Sequence, residues 1–277
     1  MKISVYTGVK DGLFYDFHVE AMLRHHLPLA DEIIVNEGYS TDGTFETIST
    51  IDPKIHVHRF AWDRSDPNAW HRQFKNQART LCTGDWCILL DCDEFIPEWE
   101  FPRLRSYLET VEQSIVPVRF THFYGNYRVF MARLPRIIPD TGFRIHRNLR
   151  EIEVWGDGAN VRMRGHEDEP EMLATETFAV HHFGSVRRPA RLRQKWRVQA
   201  KQHRAEKPRW DKIPGFVFDL FPHRWEDPDC LKDLAIYEGP FIQAVRNDPE
   251  EFIRDRFWLY DHLRNGSSQG RSGKEHS

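Results

Sequence analysis

The sequence has little that would build a disulfide framework, cross a membrane or gather a nucleic acid. Only four of its 277 residues are cysteine. Cys82, Cys87 and Cys92 cluster in or beside one apolar segment, while Cys230 stands alone. No C-x-x-C pair is present, so the tight spacing of zinc and redox motifs is missing. The pattern reads as reduced thiols, buried or half-buried. No apolar run is long enough to span a bilayer. The opening Met1-Lys2-Ile3-Ser4-Val5-Tyr6 goes straight into a strand-like pattern, without the longer apolar stretch of a signal peptide. These features predict a cytoplasmic protein whose membrane contact is peripheral at most. The formal net charge of -3 sets up no global field for nucleic acid or anionic lipid. A G-x-x-x-x-G-K-[ST] phosphate loop is also missing, which argues against a phosphoryl or nucleotidyl transferase of that type. What is present, 40% hydrophobic, 13% aromatic and 29% charged residues, suits a folded chain with a sizeable core.

The first ninety or so residues alternate strand and helix signals. Ile3 to Thr7 is a β-type run ending at Gly8. Phe14 to Leu27 carries Phe14, Phe17, Ala21 and Met22 at helical spacing before Pro28. Glu32 to Val35 is a second strand, nearly all apolar, as a buried parallel strand should be. Turn residues Ser40 to Thr44 lead into a helix near Phe45 to Ser49. Ile55 to Phe60 alternates as a third strand, Trp70 to Leu81 reads as a helix, and Trp86 to Leu90 as a fourth strand. The alternation predicts an α/β fold with a mostly parallel central sheet flanked by helices. Ligands of such sheets sit at the carboxyl ends of the strands, which puts Gly8, Glu37 and Asp91 along one edge. From Ser114 to about Gly184 the chain is strand-like and aromatic, predicting mixed or antiparallel strands that close the site. Arg191 to Arg209, Leu231 to Val245 and Glu250 to Leu263 read as helices. The domain reading is residues 1–188 as the catalytic unit, 189–264 as a helical extension packed on it, and 265–277 as a disordered Gly/Ser-rich tail.

The densest chemistry lies in Ile88-Leu89-Leu90-Asp91-Cys92-Asp93-Glu94-Phe95. Three carboxylates packed at the end of an apolar strand repel one another unless a cation or hydrogen-bond donors compensate. Hard oxygen ligands suit Mg²⁺ or Mn²⁺, and such an ion keeps part of its shell for substrate phosphates. A solvated acidic loop is the alternative on the tripeptide alone.

Four ordered blocks weigh against that alternative. An opening strand and helix come first. Ile33-Ile34-Val35-Asn36-Glu37 then runs into Ser40-Thr41-Asp42-Gly43-Thr44. Lys75-Asn76-Gln77-Ala78-Arg79 precedes Gly84-Asp85-Trp86, and Leu90-Asp91-Cys92-Asp93-Glu94-Phe95 follows. Over the first hundred residues the chain resembles the family 2 glycosyltransferases of GT-A fold, with their D-x-D motif. The resemblance implies a metal-dependent, inverting transferase that takes a sugar from a nucleotide-diphosphate donor, uridine being the commonest base. It implies donor contacts from Thr7, Gly8, Glu37, Asp42, Lys75, Asn76, Asp91 and Cys92. Glu37 stands where the family more often has Asp, and Asp42 also suits a helix cap. Asp93 would hold Mn²⁺ or Mg²⁺, with Asp91 shared between ribose and metal, and the ion would neutralise the departing diphosphate. The chain departs from the family at Lys10-Asp11, where relatives often have Asn-Glu.

His181-His182-Phe183-Gly184-Ser185-Val186-Arg187 resembles the family's late H-x-G-x-x-R block. That match makes His182 a third metal ligand and Arg187 a phosphate contact, the latter suited to bidentate binding. A hydrogen-bonded structural His is the plain alternative. An inverting enzyme also needs a base for the acceptor proton. Glu167, in Gly165-His166-Glu167-Asp168-Glu169, resembles the H-E pair of relatives, and Asp157 in Trp155-Gly156-Asp157-Gly158 is the reserve. The basic run from Arg187 to Arg209, which includes Arg191, Lys195 and Arg197, reads as a solvated helix face or as a site for donor phosphates, an anionic acceptor or a membrane surface. The acceptor class stays open among glycan, lipid-linked glycan, peptide and small molecule, as does oligomerisation. A nucleotidyl or phosphoryl transferase and a non-catalytic nucleotide- or carbohydrate-binding module are the competing functions.

Overall fold

The computed structural model describes residues 1–63, 70–133, 140–165, 173–188, 191–192, 194–195 and 233–245. The first half runs β1 (Ile3–Val9), α1 (Val19–His26), β2 (Glu32–Glu37), α2 (Thr44–Ile48), β3 (Ile55–Arg59), α3 (Trp70–Thr80) and β4 (Trp86–Leu89). The second half runs β5 (Glu94–Phe95), α4 (Phe101–Thr110), β6 (Ile115–Tyr124), β7 (Val129–Met131), β8 (Thr141–Arg147), β9 (Ile152–Trp155), β10 (Asn160–Met163), β11 (Phe178–Ser185) and β12 (Leu234–Ile236).

Strands β4, β1, β2 and β3 lie side by side and parallel. Side chains along them alternate between two cores. Ile3, Val5, Val9, Ile33, Val35, Ile88 and Leu90 join Val19, Met22 and Leu23 of α1. Tyr6, Ile34, Cys87 and Leu89 join Ala78 of α3 and Val154 of β9. Both faces of β1, β2 and β4 are therefore buried, which is why Ile33–Val35 and Trp86–Leu89 are apolar without a break, whereas the edge strand β3 alternates and is half-exposed. The sheet continues through β8, antiparallel to β4, and β6, antiparallel to β8. Strand β11 then runs parallel to β6 and carries β5 against its end, pairing His182 with Glu94. The result is the expected α/β class, a central and mostly parallel sheet with helices on it. Residues β9 and β10 form a separate hairpin over α3.

Two expected helices differ. The first begins at Val19 rather than Phe14, because residues 11–16 form a turn. Asp11 and Asp16 both have φ of 52°, a left-handed conformation that helices exclude and Asp tolerates better than most residues. Asp42 accepts the Phe14 N–H at 2.6 Å and holds the turn against the second βα loop. The segment expected as a helix from Leu231 to Val245 contains β12, antiparallel to β7, and a short 3-10 turn at Gln243–Val245. Long-range pairing with Val129–Met131 overrides the local helical spacing there. The expected helix at Glu250 to Leu263, the tail and most of the basic run lie outside the described residues. Among the described residues, no helix is long and apolar enough to cross a membrane.

Candidate active site

The parallel register delivers the carboxyl ends of β1 and β4 to one place. Tyr6 sits beside Leu89, so Gly8 follows on one strand as Asp91 follows on the other. The Cys92 thiol donates to the Gly8 carbonyl at 3.4 Å and lies 3.6 Å from the Thr7 hydroxyl, fastening the two ends together. Burial pushes that thiol up to about 12, so it stays protonated. A cavity of about 270 Å³ opens here. Lys10, Lys75, Asp91, Asp93, His182 and Lys195 give it a charged side, and Tyr15, Phe17, Trp62, Trp70 and Phe74 an aromatic one. Trp62 stacks on Phe74 with centroids 3.9 Å apart. Gly8 is required where it stands, since a Cβ there would come within 2.1 Å of the Phe74 ring.

Each carboxylate of the pair has its own cations. The Lys75 ammonium makes an ion pair with Asp91, and Arg144 of β8 lies 3.7 Å from the same carboxylate. Burial pushes the Asp91 carboxyl up, but Lys75 and Arg144 outweigh it and hold it below the usual range. Arg144 also donates to buried Glu94 at 2.7 Å, and Glu94 accepts the Asp91 backbone N–H at 2.9 Å. Burial, reinforced by the charge of Asp91, leaves the Glu94 carboxyl above its ordinary value despite Arg144. Glu94 is thus a buttress under the loop.

Asp93 is 2% exposed. Arg187, fully buried, donates to its Oδ2 at 2.6 Å and to the Tyr15 carbonyl at 2.8 Å. Lys195 reaches the same oxygen at 3.4 Å, and His182 Nε2 lies 3.6 Å from Oδ1. Burial works against ionisation, yet Lys195, His182 and Arg187 together hold the carboxyl well below its ordinary range. Lys195 feels burial and the neighbouring Arg187, partly offset by Asp93, and is lowered to about 8.

Among the described residues, no three His, Cys, Asp or Glu side chains converge as a ready metal cage. Asp93 Oδ1 and His182 Nε2 face one another, however: the carboxylate suits Mn²⁺ or Mg²⁺, and the imidazole suits a transition-metal ion. Mg²⁺ and similar ions also bind through one or two carboxylates, completing their shell with phosphate oxygens and water. The residues present therefore fit part of such a site. His122 Nδ1 lies 2.8 Å from His182 Nδ1, so a hydrogen bond between the rings sets the His182 orientation.

The model of the family described as "Glycosyl transferase family 2" matches residues 19–189, more than half of the chain. The chain belongs to glycosyl transferase family 2. It is similar to the crystal structure of S. aureus TarS residues 1–349, at 14% identity and a TM-score of 0.44, over 80% of this chain and 72% of that one. The complex of the same TarS fragment with UDP-GlcNAc matches at 13% identity and 0.44, covering 82% and 72%. Glucosyl-3-phosphoglycerate synthase from Mycobacterium tuberculosis, with Mn²⁺, UDP and glucosyl-3-phosphoglycerate, matches at 17% identity and 0.42, covering 73% and 79%. No curated protein sequence matches the chain.

In this family 2 transferase the structure brings Gly8, Lys75, Asp91, Cys92, Asp93 and His182 to one cavity. Arg187 stands behind Asp93 rather than on the wall. Other expected donor contacts are held in local structure. The Glu37 carboxylate accepts from Tyr39 N–H at 3.1 Å, Ser40 N–H at 2.5 Å and Arg59 at 2.8 Å, shaping its loop. Asp42 accepts the Thr44 N–H at 3.0 Å at the start of α2. Asn76 brackets Val154 of β9, accepting its N–H at 2.9 Å and donating to its carbonyl at 3.0 Å. Thr7 is buried against Cys92. Asp157 is exposed at the tip of the β9–β10 hairpin, next to Gly158, whose carbonyl accepts from Lys75 at 2.9 Å. Glu167 lies outside the described residues. Sequence reasoning missed Arg144 and the buttressing of Glu94. An arginine flanked by Phe143 and Ile145 inside a mostly buried strand was the signal for the first.

Proposed function

We propose that the protein transfers a sugar from a nucleotide-diphosphate donor, UDP-linked first among candidates, to an acceptor nucleophile with inversion at the anomeric carbon. The observation that carries this reading is the cavity at the ends of β1 and β4, where cationic and acidic side chains alternate beneath an aromatic wall. The aromatic side suits a base or sugar ring, and the charged side suits a diphosphate. In the reaction the acceptor oxygen bonds to the anomeric carbon as the bond to the β-phosphate oxygen breaks. The acceptor proton passes to a carboxylate, Glu167 or Asp157, and the electron pair leaves with the diphosphate. Asp93 and His182, with Asp91 beside them, would hold Mn²⁺ or Mg²⁺, which supplies Lewis-acid neutralisation of the leaving group. Lys75 keeps Asp91 ionised, and Arg187 does the same for buried Asp93. Residues 1–188 are the catalytic unit in this reading, and the chain beyond 189 governs acceptor choice.

The test is a panel of nucleotide sugars, with Mn²⁺ or with EDTA, followed by release of nucleoside diphosphate. Metal-dependent turnover of one donor, reduced about a thousandfold in Asp93→Ala, is expected. Equal turnover in EDTA would remove the metal from the reading, and release of pyrophosphate would make the protein a nucleotidyl transferase. Glu167→Gln and Asp157→Asn separate the two bases: the correct one abolishes transfer and leaves donor binding intact.

A further inference from the structure

Asp93 has two cationic partners of different character. Arg187 is fully buried, holds Oδ2 at 2.6 Å and is fixed at its other end by the Tyr15 carbonyl. Lys195 meets the same oxygen at 3.4 Å, beyond the 2.7–2.9 Å or so of a tight charge-assisted bond. Its second contact, the Gly184 carbonyl, is also long at 3.2 Å. Lys195 lines the cavity, and its side chain retains 16% exposure. An ammonium has three donors on a flexible four-carbon stem, whereas a guanidinium is a rigid fork. Lys195 is therefore the loosely held charge, standing at the wall, and Arg187 the fixed one behind it. The other lysines at this wall are held differently. Lys10 donates at 2.7 Å to both Gly38 and Tyr39 carbonyls, and Lys75 is buried between Asp91 and Gly158.

We propose that Lys195 is an exchangeable counter-ion, resting on Asp93 when the cavity is empty and moving to the diphosphate when a donor enters. The exchange conserves charge in a buried place. Asp93 needs compensation in the empty site, because an uncompensated buried carboxylate is costly. An entering diphosphate attracts the loose ammonium, and Asp93 is then left to a divalent cation carried with the diphosphate. Lys195 and the divalent cation thus compete for Asp93, while Lys195 and the diphosphate attract. Diphosphate and cation consequently bind with positive coupling, which must be reciprocal. The idea rests on the donor class proposed above, but its anion part needs neither base nor sugar.

Two binding measurements without turnover test it. Calorimetric titration with pyrophosphate and with UDP, both in EDTA, reads the anion site. Electron paramagnetic resonance of Mn²⁺ in the absence of nucleotide reads the cation site. In Lys195→Ala, pyrophosphate and UDP affinity should fall at least about tenfold. Mn²⁺ affinity should rise by about threefold or more, because a competing charge is gone. Lys195→Arg, which keeps the charge, should fall by less than the alanine variant in anion affinity and show no gain in Mn²⁺ affinity. Opposite signs for anion and cation are the signature. Misfolding or a merely structural role lowers both together, and that result, or no change in either, overturns the proposal. A wild-type protein that binds pyrophosphate but no UDP would leave Lys195 its role and remove the uridine donor.

Discussion

The two carboxylates of Asp91-Cys92-Asp93 share one loop but draw their counter-charges chiefly from different halves of the molecule. Asp91 is compensated chiefly from the parallel half, by Lys75 of α3, and its side chain is 35% exposed. Asp93 is compensated from the end of β11 and beyond, by His182, Arg187 and Lys195, and its side chain is only 3% exposed. A motif that reads as one unit is thus assembled from a near and a distant source. Asp91 keeps some contact with solvent although Lys75 beside it is buried, while Asp93 depends on the fold being complete. Removing a cation should therefore cost more on the Asp93 side.

Arg187→Met sharpens the contrast most. It leaves Asp93 buried with a weakened set of partners, and should destabilise the protein by about 3 kcal/mol, as breaking a buried pair typically does. Urea unfolding measures it, and adding Asp93→Asn should recover part of the loss. A loss below about 1 kcal/mol would mean that Asp93 is already well solvated.

The junction between the halves gives the next effect. Tyr6 of β1 and His146 of β8 are 3.0 Å apart, and His146 Nδ1 lies 2.9 Å from the Arg147 carbonyl. Those partners suit a neutral ring that accepts from the tyrosine and donates to the carbonyl. Burial, opposed by the Arg147 carbonyl bond, lowers His146 from 6.5 to about 4. The unfolded chain therefore binds the extra proton first. Stability is full above about pH 6.5 and is lost as pH falls toward about 4. Going from about pH 7 to about pH 5 should cost about 2 kcal/mol through this group. Denaturation at the two values, in wild type and in the Tyr6→Phe/His146→Leu double variant, checks it. The double variant should lose distinctly less, and an equal loss would place the acid sensitivity elsewhere.

Lys75→Met is the mild counterpart to Arg187→Met. Asp91 retains Arg144 and is itself partly exposed, so although Lys75 is buried the cost should stay at about half that of Arg187→Met, about 1.5 kcal/mol in the same unfolding assay. A loss as large as that of Arg187→Met would erase the distinction between the two carboxylates.

The same division decides what was legible in the sequence. The parallel half was readable because both faces of its inner strands are buried and the turn into α2 is local. Ile33–Val35 and Trp86–Leu89 are apolar throughout, and Asp42 both ends a loop and starts a helix. Asp91 and Asp93 stood out as acids after such a strand. The turn at residues 11–16 was hidden, because it depends on Arg188 bonding Asp16 from 172 residues away. Strand β12 was hidden for a like reason, its partner being Val129–Met131. The basic run was visible as charge, but nothing local distinguished Lys195, at the cavity wall, from the other basic residues of the run. Arg144 escaped because its partners, Glu94 and Asp91, are met only across the sheet.

The most direct measurement is a crystal structure of the protein with UDP and Mn²⁺. The diphosphate is expected in the cavity between the ends of β1 and β4, the ion on Asp93 and His182, and the base against the aromatic wall that includes Trp62 and Phe74. A nucleotide bound elsewhere, or an ion in the cavity with Lys195 still on Asp93, would contradict this expectation.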